Sequence, residues 1–291
     1  MNSPEIVQWV VDTRKLWSSA NNTAELPYVA GSAFRLLRDG ERTAVLQYVS
    51  VKDAKIALAS RLVKRYAISR FCDVPWDEAL AFRDTNTKPV FRKSDGSEPF
   101  IFNVTHQDGL VILFGVHQPP PGLAIGVDVV SPSERRERDH EMLVKEGWPT
   151  YVDIHADVFS PKEVTRLKEL KFDRQTAEGR DSLLRWFYSL WCLREAYVKM
   201  TGEALLAKWL RDLEIRGFGP PEDIPDGVEG AWMHGQRVEG VDIKLENLLD
   251  GFMVSSVVRR GNAGETIELG SWQSLDVAEI LAFWSEEMIR Q

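Results

Sequence analysis

FIFNVTHQDGLVILFGVHQPPPGLAIGVDVV, residues 100–130, carries three extended segments and one break. Residues 100–105 and 110–116 are apolar or β-branched runs of strand length. The polar residues His106-Gln107-Asp108-Gly109 separate them, so the pair reads as a β-hairpin whose connecting turn lies at a strand end. Pro119-Pro120-Pro121-Gly122 then interrupts the chain, and a third apolar run follows over 123–130 with Asp128 inside it. A carboxylate in so apolar a strand costs several kcal/mol unless a cation or donors meet it, so Asp128 requires a partner. The break sets a domain boundary, giving halves 1–122 and 123–291.

Upstream of the hairpin, residues 51–70 place Ala54, Leu58, Leu62 and Tyr66 four apart among lysines and arginines, the pattern of a basic amphipathic helix. Downstream, 131–151 is polar and reads as containing a loop. Ser160-Pro161-Lys162-Glu163 has the cap, proline and glutamate of a helix start. Residues 182–200 form the strongest helix, with Leu184, Phe187, Trp191, Ala196 and Met200 giving it an apolar lining. A proline-rich acidic loop spans 217–230. Strands follow at 241–245, 251–259 and 266–269, and a helix at 277–289. Helices mixed with short hairpin strands, without regular alternation, predict an α+β architecture.

Of 291 residues, 44% are hydrophobic and 27% charged, enough to bury a core, and no internal repeat of solenoid period is present. A formal net charge of −8 argues against a general nucleic-acid binder. The cations Lys52, Lys55, Arg61, Lys64, Arg65 and Arg70 nevertheless cluster in one segment; this is either a solvated helix face or a site for a polyanion. Cys72 and Cys192 are too few for a disulfide framework, and both are expected reduced and partly buried. No apolar run is long enough to span a membrane and the start lacks a signal-peptide pattern, so a cytoplasmic protein is expected. Neither GxxxxGK[ST] nor GxGxxG after a strand occurs, so the common nucleotide-binding folds gain no support.

Three further segments bear on chemistry: Phe102-Asn103-Val104-Thr105-His106-Gln107, Gly126-Val127-Asp128-Val129-Val130, and Trp191-Cys192-Leu193-Arg194-Glu195-Ala196-Tyr197-Val198-Lys199. Singly, each has an ordinary reading: a structural aspartate at a strand, a surface ion pair of Glu195 with Lys199, a capped turn histidine. In this order and at these separations they resemble the motifs FNxSH, GxDxE and WxxKEAxxK of the 4′-phosphopantetheinyl transferases of the surfactin-synthetase type. Thr87-Lys88-Pro89 resembles that family's GKP segment, and the resemblance runs from about Arg35 to Arg259.

The resemblance implies a fold of two pseudo-twofold-related halves with the active site in the cleft between them. It also implies a magnesium-dependent transfer of the phosphopantetheine arm of coenzyme A to a serine of an acyl, peptidyl or aryl carrier protein, with adenosine 3′,5′-bisphosphate released. By the same resemblance Asp128 and Glu195 hold Mg²⁺ against the pyrophosphate, which suits a cation that binds one or two carboxylates with substrate phosphates and water. Where many members carry a second acid, this chain has Val130, and Gln107 is expected to supply a neutral oxygen. His106, Thr105, Lys88 and Arg83 are expected on the phosphates of coenzyme A, and Arg61 and Arg42 on its adenosine 3′-phosphate. Glu195 is the expected base for the serine proton, and Lys199 the stabiliser of charge on the transferring phosphate. Arg194 stands where the family usually has lysine. By analogy the chain is a monomer of broad carrier range, serving fatty-acid, polyketide and peptide synthases. Val130 and Arg194 also admit an inactive module that binds coenzyme A or carrier proteins, and paired carboxylates admit an unrelated metal-dependent phosphoesterase.

Overall fold

In a computed structural model, which describes residues 4–85, 88–203, 207–262 and 267–290, the chain forms two compact units. The first contains residues 1–120 and 268–291, the second residues 121–267. The Pro119–Gly122 break therefore coincides with the passage from one unit to the other. The final helix, Val277–Arg290, which the sequence division put in the second half, belongs to the first unit because Val277 and Ile280 are buried in its core.

The first unit is built on a four-stranded sheet ordered Gln273–Ser274, Glu5–Asp12, Leu110–His117, Phe100–Gln107. Phe100–Gln107 and Leu110–His117 form the expected hairpin, but its loop is only Asp108-Gly109. Both residues have positive φ, 47° and 86°, the requirement of a tight two-residue turn that an Asp-Gly pair meets at low cost. The strand consequently runs on to pair Gln107 with Leu110, and His106 and Gln107 lie within it rather than beyond it. Side chains alternate along the strand. Phe100, Phe102 and Val104 join the core beneath the helix Val51–Cys72, where Phe71 stacks on Phe100 at 5.1 Å. His106 shares that face, and Thr105 and Gln107 share the other.

The helix Val51–Cys72 is the predicted one, but it is not a simple amphipathic surface helix. Beyond the expected stripe, Ile56, Ala59, Val63 and Ile68 are also buried, because helices, the sheet and Val277–Arg290 surround most of its circumference. Arg65, counted in the basic run, is among the most buried side chains of the chain; Glu41 accepts from its Nη2 at 2.6 Å and the Trp76 carbonyl from its Nη1 at 2.8 Å. Lys52 bonds Asp108 at 2.7 Å, and Arg70 lies over Tyr66 and Phe71.

The second unit packs a long helix, Ala177–Thr201, on an antiparallel sheet ordered Val241–Leu248, Phe252–Arg259, Ala124–Val130. The region 131–151 holds two helices, Arg136–Glu146 and Trp148–Ile154. The capping box at Ser160 is present as expected, with Ser160 N donating to Glu163 at 2.7 Å. Residues 217–229 are a loop joining Leu213–Arg216 to Gly230–Met233 in a second small sheet. Residues 267–269 form no strand, and Thr266 of that expected strand lies outside the described residues. Both cysteines are free and buried.

Gly126 is where sheet and helix come closest. A Cβ there would sit 2.1 Å from the Ala196 carbonyl oxygen and 2.4 Å from the Met200 nitrogen, so the contact is backbone against backbone. Gly126→Ala cannot be relieved by a rotamer change and is expected to lower stability by about 3 kcal/mol or more. Urea unfolding of the variant beside the native chain measures this.

Candidate active site

Asp128 is the middle of an otherwise apolar strand and only 6% exposed, and Ser255 faces it across the sheet. Two residues before it, Gly126 lets the helix Ala177–Thr201 come close, so one face of that helix is presented to the carboxylate. From that face Lys199 Nζ reaches Asp128 Oδ1 at 2.6 Å, which supplies the partner the strand requires. Glu195 lies one turn before Lys199 on the same helix face. Burial, and after it the negative charge of Asp128, push the Glu195 carboxyl above its ordinary range, with Lys199 opposing them. Cys192, one turn further back, donates its thiol to the Asp128 carbonyl at 3.3 Å, tying strand to helix.

These three side chains form a partly buried cluster with two carboxylates and one ammonium. Its excess of negative charge and its hard oxygen donors suit a divalent cation such as Mg²⁺. Val130, on the same strand face as Asp128, is 2% exposed and packed in the apolar core of the unit. No third acid joins the pair, and among the described residues no group of three or more His, Cys, Asp or Glu is placed to hold a metal.

Arg194 is a core residue. It is 1% exposed and forms a buried ion pair with Glu163, while its guanidinium also donates to the carbonyls of Leu210 and Leu213 at 2.8 to 3.1 Å. Burial pushes the Glu163 carboxyl up and the Arg194 guanidinium down. The Glu163 oxygens also accept from Ser160 N and from Ile215 N, each at 2.7 Å, and the Arg194 charge and these donors oppose the effect of burial on the carboxyl. Arg194 is thus a core strut joining the long helix, the capped helix Pro161–Lys168 and the strand Leu213–Arg216.

In the first unit the expected phosphate-binding residues divide. Arg83 and His106 line one cleft of about 210 Å³ together with Ser60, Lys64, Pro89 and Val104. Arg83 sits opposite Pro89 in a short antiparallel pair closed at Asp84 and Lys88, where Lys88 N donates to Asp84 Oδ1 at 2.9 Å and Asp84 N to the Lys88 carbonyl at 3.0 Å. Thr87 of the expected segment lies outside the described residues. Thr105 is buried on the strand face opposite His106. Arg61 is one turn before Lys64 and donates to the Ala57 carbonyl at 2.9 Å. Arg42 is committed to the end of the helix Gly31–Arg35, donating to the carbonyls of Phe34 at 2.8 Å and Arg35 at 3.3 Å, and it is not among the cleft-lining residues.

Lys64 was counted only as one charge in a run. Burial, then the charges of Arg61 and Arg83, bring its ammonium down to about 8. Its place three residues after Arg61, one helical turn, was the signal in the sequence.

Comparison with known proteins bears on both units. Residues 28–118 match the family model described as 4′-phosphopantetheinyl transferase, N-terminal, and residues 124–223 match the 4′-phosphopantetheinyl transferase superfamily. The chain is 56% identical to 4′-phosphopantetheinyl transferase 1 of Fusarium mangiferae, over 97% of this chain and 96% of the relative. It is 34% identical to a 4′-phosphopantetheinyl transferase of Aureobasidium melanogenum, over 86% and 90%. It is also 29% identical to the human L-aminoadipate-semialdehyde dehydrogenase-phosphopantetheinyl transferase, over 60% of this chain and 50% of the relative.

Proposed function

We propose, from the premise that this chain belongs to the 4′-phosphopantetheinyl transferase family, that it moves the phosphopantetheine arm of coenzyme A onto a serine of apo carrier proteins in a magnesium-dependent reaction. The observation that carries this reading is the partly buried cluster of Asp128, Glu195 and Lys199, held on a strand and helix in backbone contact at Gly126.

Asp128 and Glu195 would hold Mg²⁺ from within the second unit, where Val130 supplies no acid beside them. The bound metal would neutralise charge on the phosphate oxygens during transfer. Arg83, Lys88 and His106 bind and orient the phosphates of coenzyme A, with Arg61 toward the 3′-phosphate; Thr105, expected beside them, is buried on the strand face opposite His106 and is left out of this set. Arg42, which the family resemblance puts on the same phosphate, bonds the Phe34 and Arg35 carbonyls and so serves the end of a helix. The carrier serine attacks the phosphorus that carries pantetheine, its proton passes to Glu195, and adenosine 3′,5′-bisphosphate leaves. The upward displacement of the Glu195 carboxyl suits a proton acceptor. Lys199 holds positive charge beside the transferring phosphate.

An inactive binding module had two grounds, Val130 and Arg194. Arg194 has an ionic partner of its own in the core, so its identity does not disturb the reacting groups.

The reading is tested by following nucleotide products when the full chain, coenzyme A, Mg²⁺ and an apo carrier protein are mixed. Adenosine 3′,5′-bisphosphate should appear mole for mole with carrier consumed and stop on chelation. Coenzyme A binding without that product would favour the binding module.

A further inference from the structure

We propose that Lys64 is a phosphate ligand for the nucleotide end of coenzyme A, acting with Arg83 and His106 in the cleft of the first unit. The proposal rests on the reading of this chain as a coenzyme A-dependent transferase. Of the cations in the basic run, Arg65 is held in the core by Glu41, Lys52 by Asp108 at the hairpin turn, and Arg70 by the rings of Tyr66 and Phe71. Lys64 instead lines the cleft, one turn after Arg61 and across from Arg83 and His106.

Among the described residues the cleft lining includes three basic side chains and no acid. The groups acting on Lys64 are Arg61 on its own helix, Arg83 on the short strand pair, and Glu41 on the helix Asp39–Leu46. Glu41, the counter-charge among these groups, is already bonded to Arg65 at 2.6 Å. A cation kept away from water among like charges is unfavourable unless an anion arrives. A phosphate supplies that charge along with oxygens for the donors of Lys64, Arg83 and Ser60.

A measurable consequence follows from the ammonium's position near 8. At pH 8 about half of the Lys64 side chains are neutral, and a bound phosphate restores the proton. Phosphate monoesters are fully ionised at that pH, since their second ionisation lies near 6. Net proton uptake on binding therefore comes from the protein.

The test is calorimetry of coenzyme A binding to the full chain at pH 8, in two buffers of different ionisation heat. The native chain should take up roughly half a proton per ligand. Lys64→Arg should bind with similar affinity and lose that uptake, because its guanidinium is always charged. Lys64→Met should lose the uptake and bind about tenfold more weakly or worse, as expected for loss of a charge-assisted bond. With 3′,5′-ADP and dephospho-coenzyme A as probes, weakening by Lys64→Met for the first but not the second assigns Lys64 to the 3′-phosphate. Weakening for dephospho-coenzyme A assigns it to the pyrophosphate. Native affinity in Lys64→Met, or undiminished proton uptake in both variants, overturns the proposal. Failure of the native chain to bind coenzyme A overturns the functional reading on which it rests.

Discussion

Asp128→Asn is expected to lower the rate of phosphopantetheine transfer on the order of 10³-fold, the scale of losing one preorganised charge contact in a water-poor site. The substitution keeps the volume of the side chain in the strand and removes only its charge, so the neighbouring core of Val127 and Val129 is preserved. Two consequences separate a direct effect from a folding defect. Lys199 loses its 2.6 Å partner, and because its side chain is 29% exposed it can turn to water at little cost. Glu195 loses a negative neighbour that raises its carboxyl, so its titration should move down in the variant. Binding of Mn²⁺ in place of Mg²⁺, followed by electron paramagnetic resonance, should weaken in Asp128→Asn while urea unfolding stays close to native. Native Mn²⁺ binding in that variant would remove Asp128 from the metal site.

Arg194→Met should produce the largest stability loss, about 3–5 kcal/mol, because it leaves the Glu163 carboxylate buried without its cation. Replacing both partners should be much milder than replacing one. Glu163→Gln together with Arg194→Met removes the buried charge but keeps a single acceptor oxygen, which can serve Ser160 N or Ile215 N and not both, so it should recover part of the loss and not all of it. Arg194→Lys restores the residue common in the family but cannot span the carboxylate and the carbonyls of Leu210 and Leu213 together, so about 1–2 kcal/mol should be lost. Urea unfolding measures all three. The transfer rate per folded molecule should be unchanged in Arg194→Lys, whereas a selective fall in that rate would return Arg194 to the reacting groups.

The same structure shows what the sequence carried and what it hid. The long helix, the hairpin, the strand around Asp128 and the capped helix at Ser160 were legible because each has a local signature: apolar periodicity, strand-length runs, a proline break, a capping box. The helix Arg136–Glu146 was not, since Asp139 and Leu143 are its only buried residues and no apolar stripe marks it. The strand Glu5–Asp12 exists through pairing with Leu110–His117, far along the chain.

Charge posed the same difficulty at the candidate site. Lys64 and Arg65 are neighbours in sequence, yet one lines a cleft and the other is a core residue. The difference is Glu41, twenty-four positions earlier, which meets Arg65. Arg194 likewise depends on Glu163, thirty-one positions away. Asp128 could be singled out because an unpaired carboxylate in an apolar strand is costly wherever it occurs. The identity of its ammonium partner required the close approach at Gly126, which only the packed helix reveals.

Intact-mass spectrometry of an apo carrier protein incubated with coenzyme A, Mg²⁺ and this chain tests the central claim most directly. The account predicts a gain equal to one phosphopantetheine on the carrier, located to a serine, with the native chain, and no detectable gain with Asp128→Asn or Glu195→Gln over the time the native chain needs to complete the conversion. A carrier mass that stays at the apo value across several carriers, with coenzyme A bound and the protein folded, would contradict it.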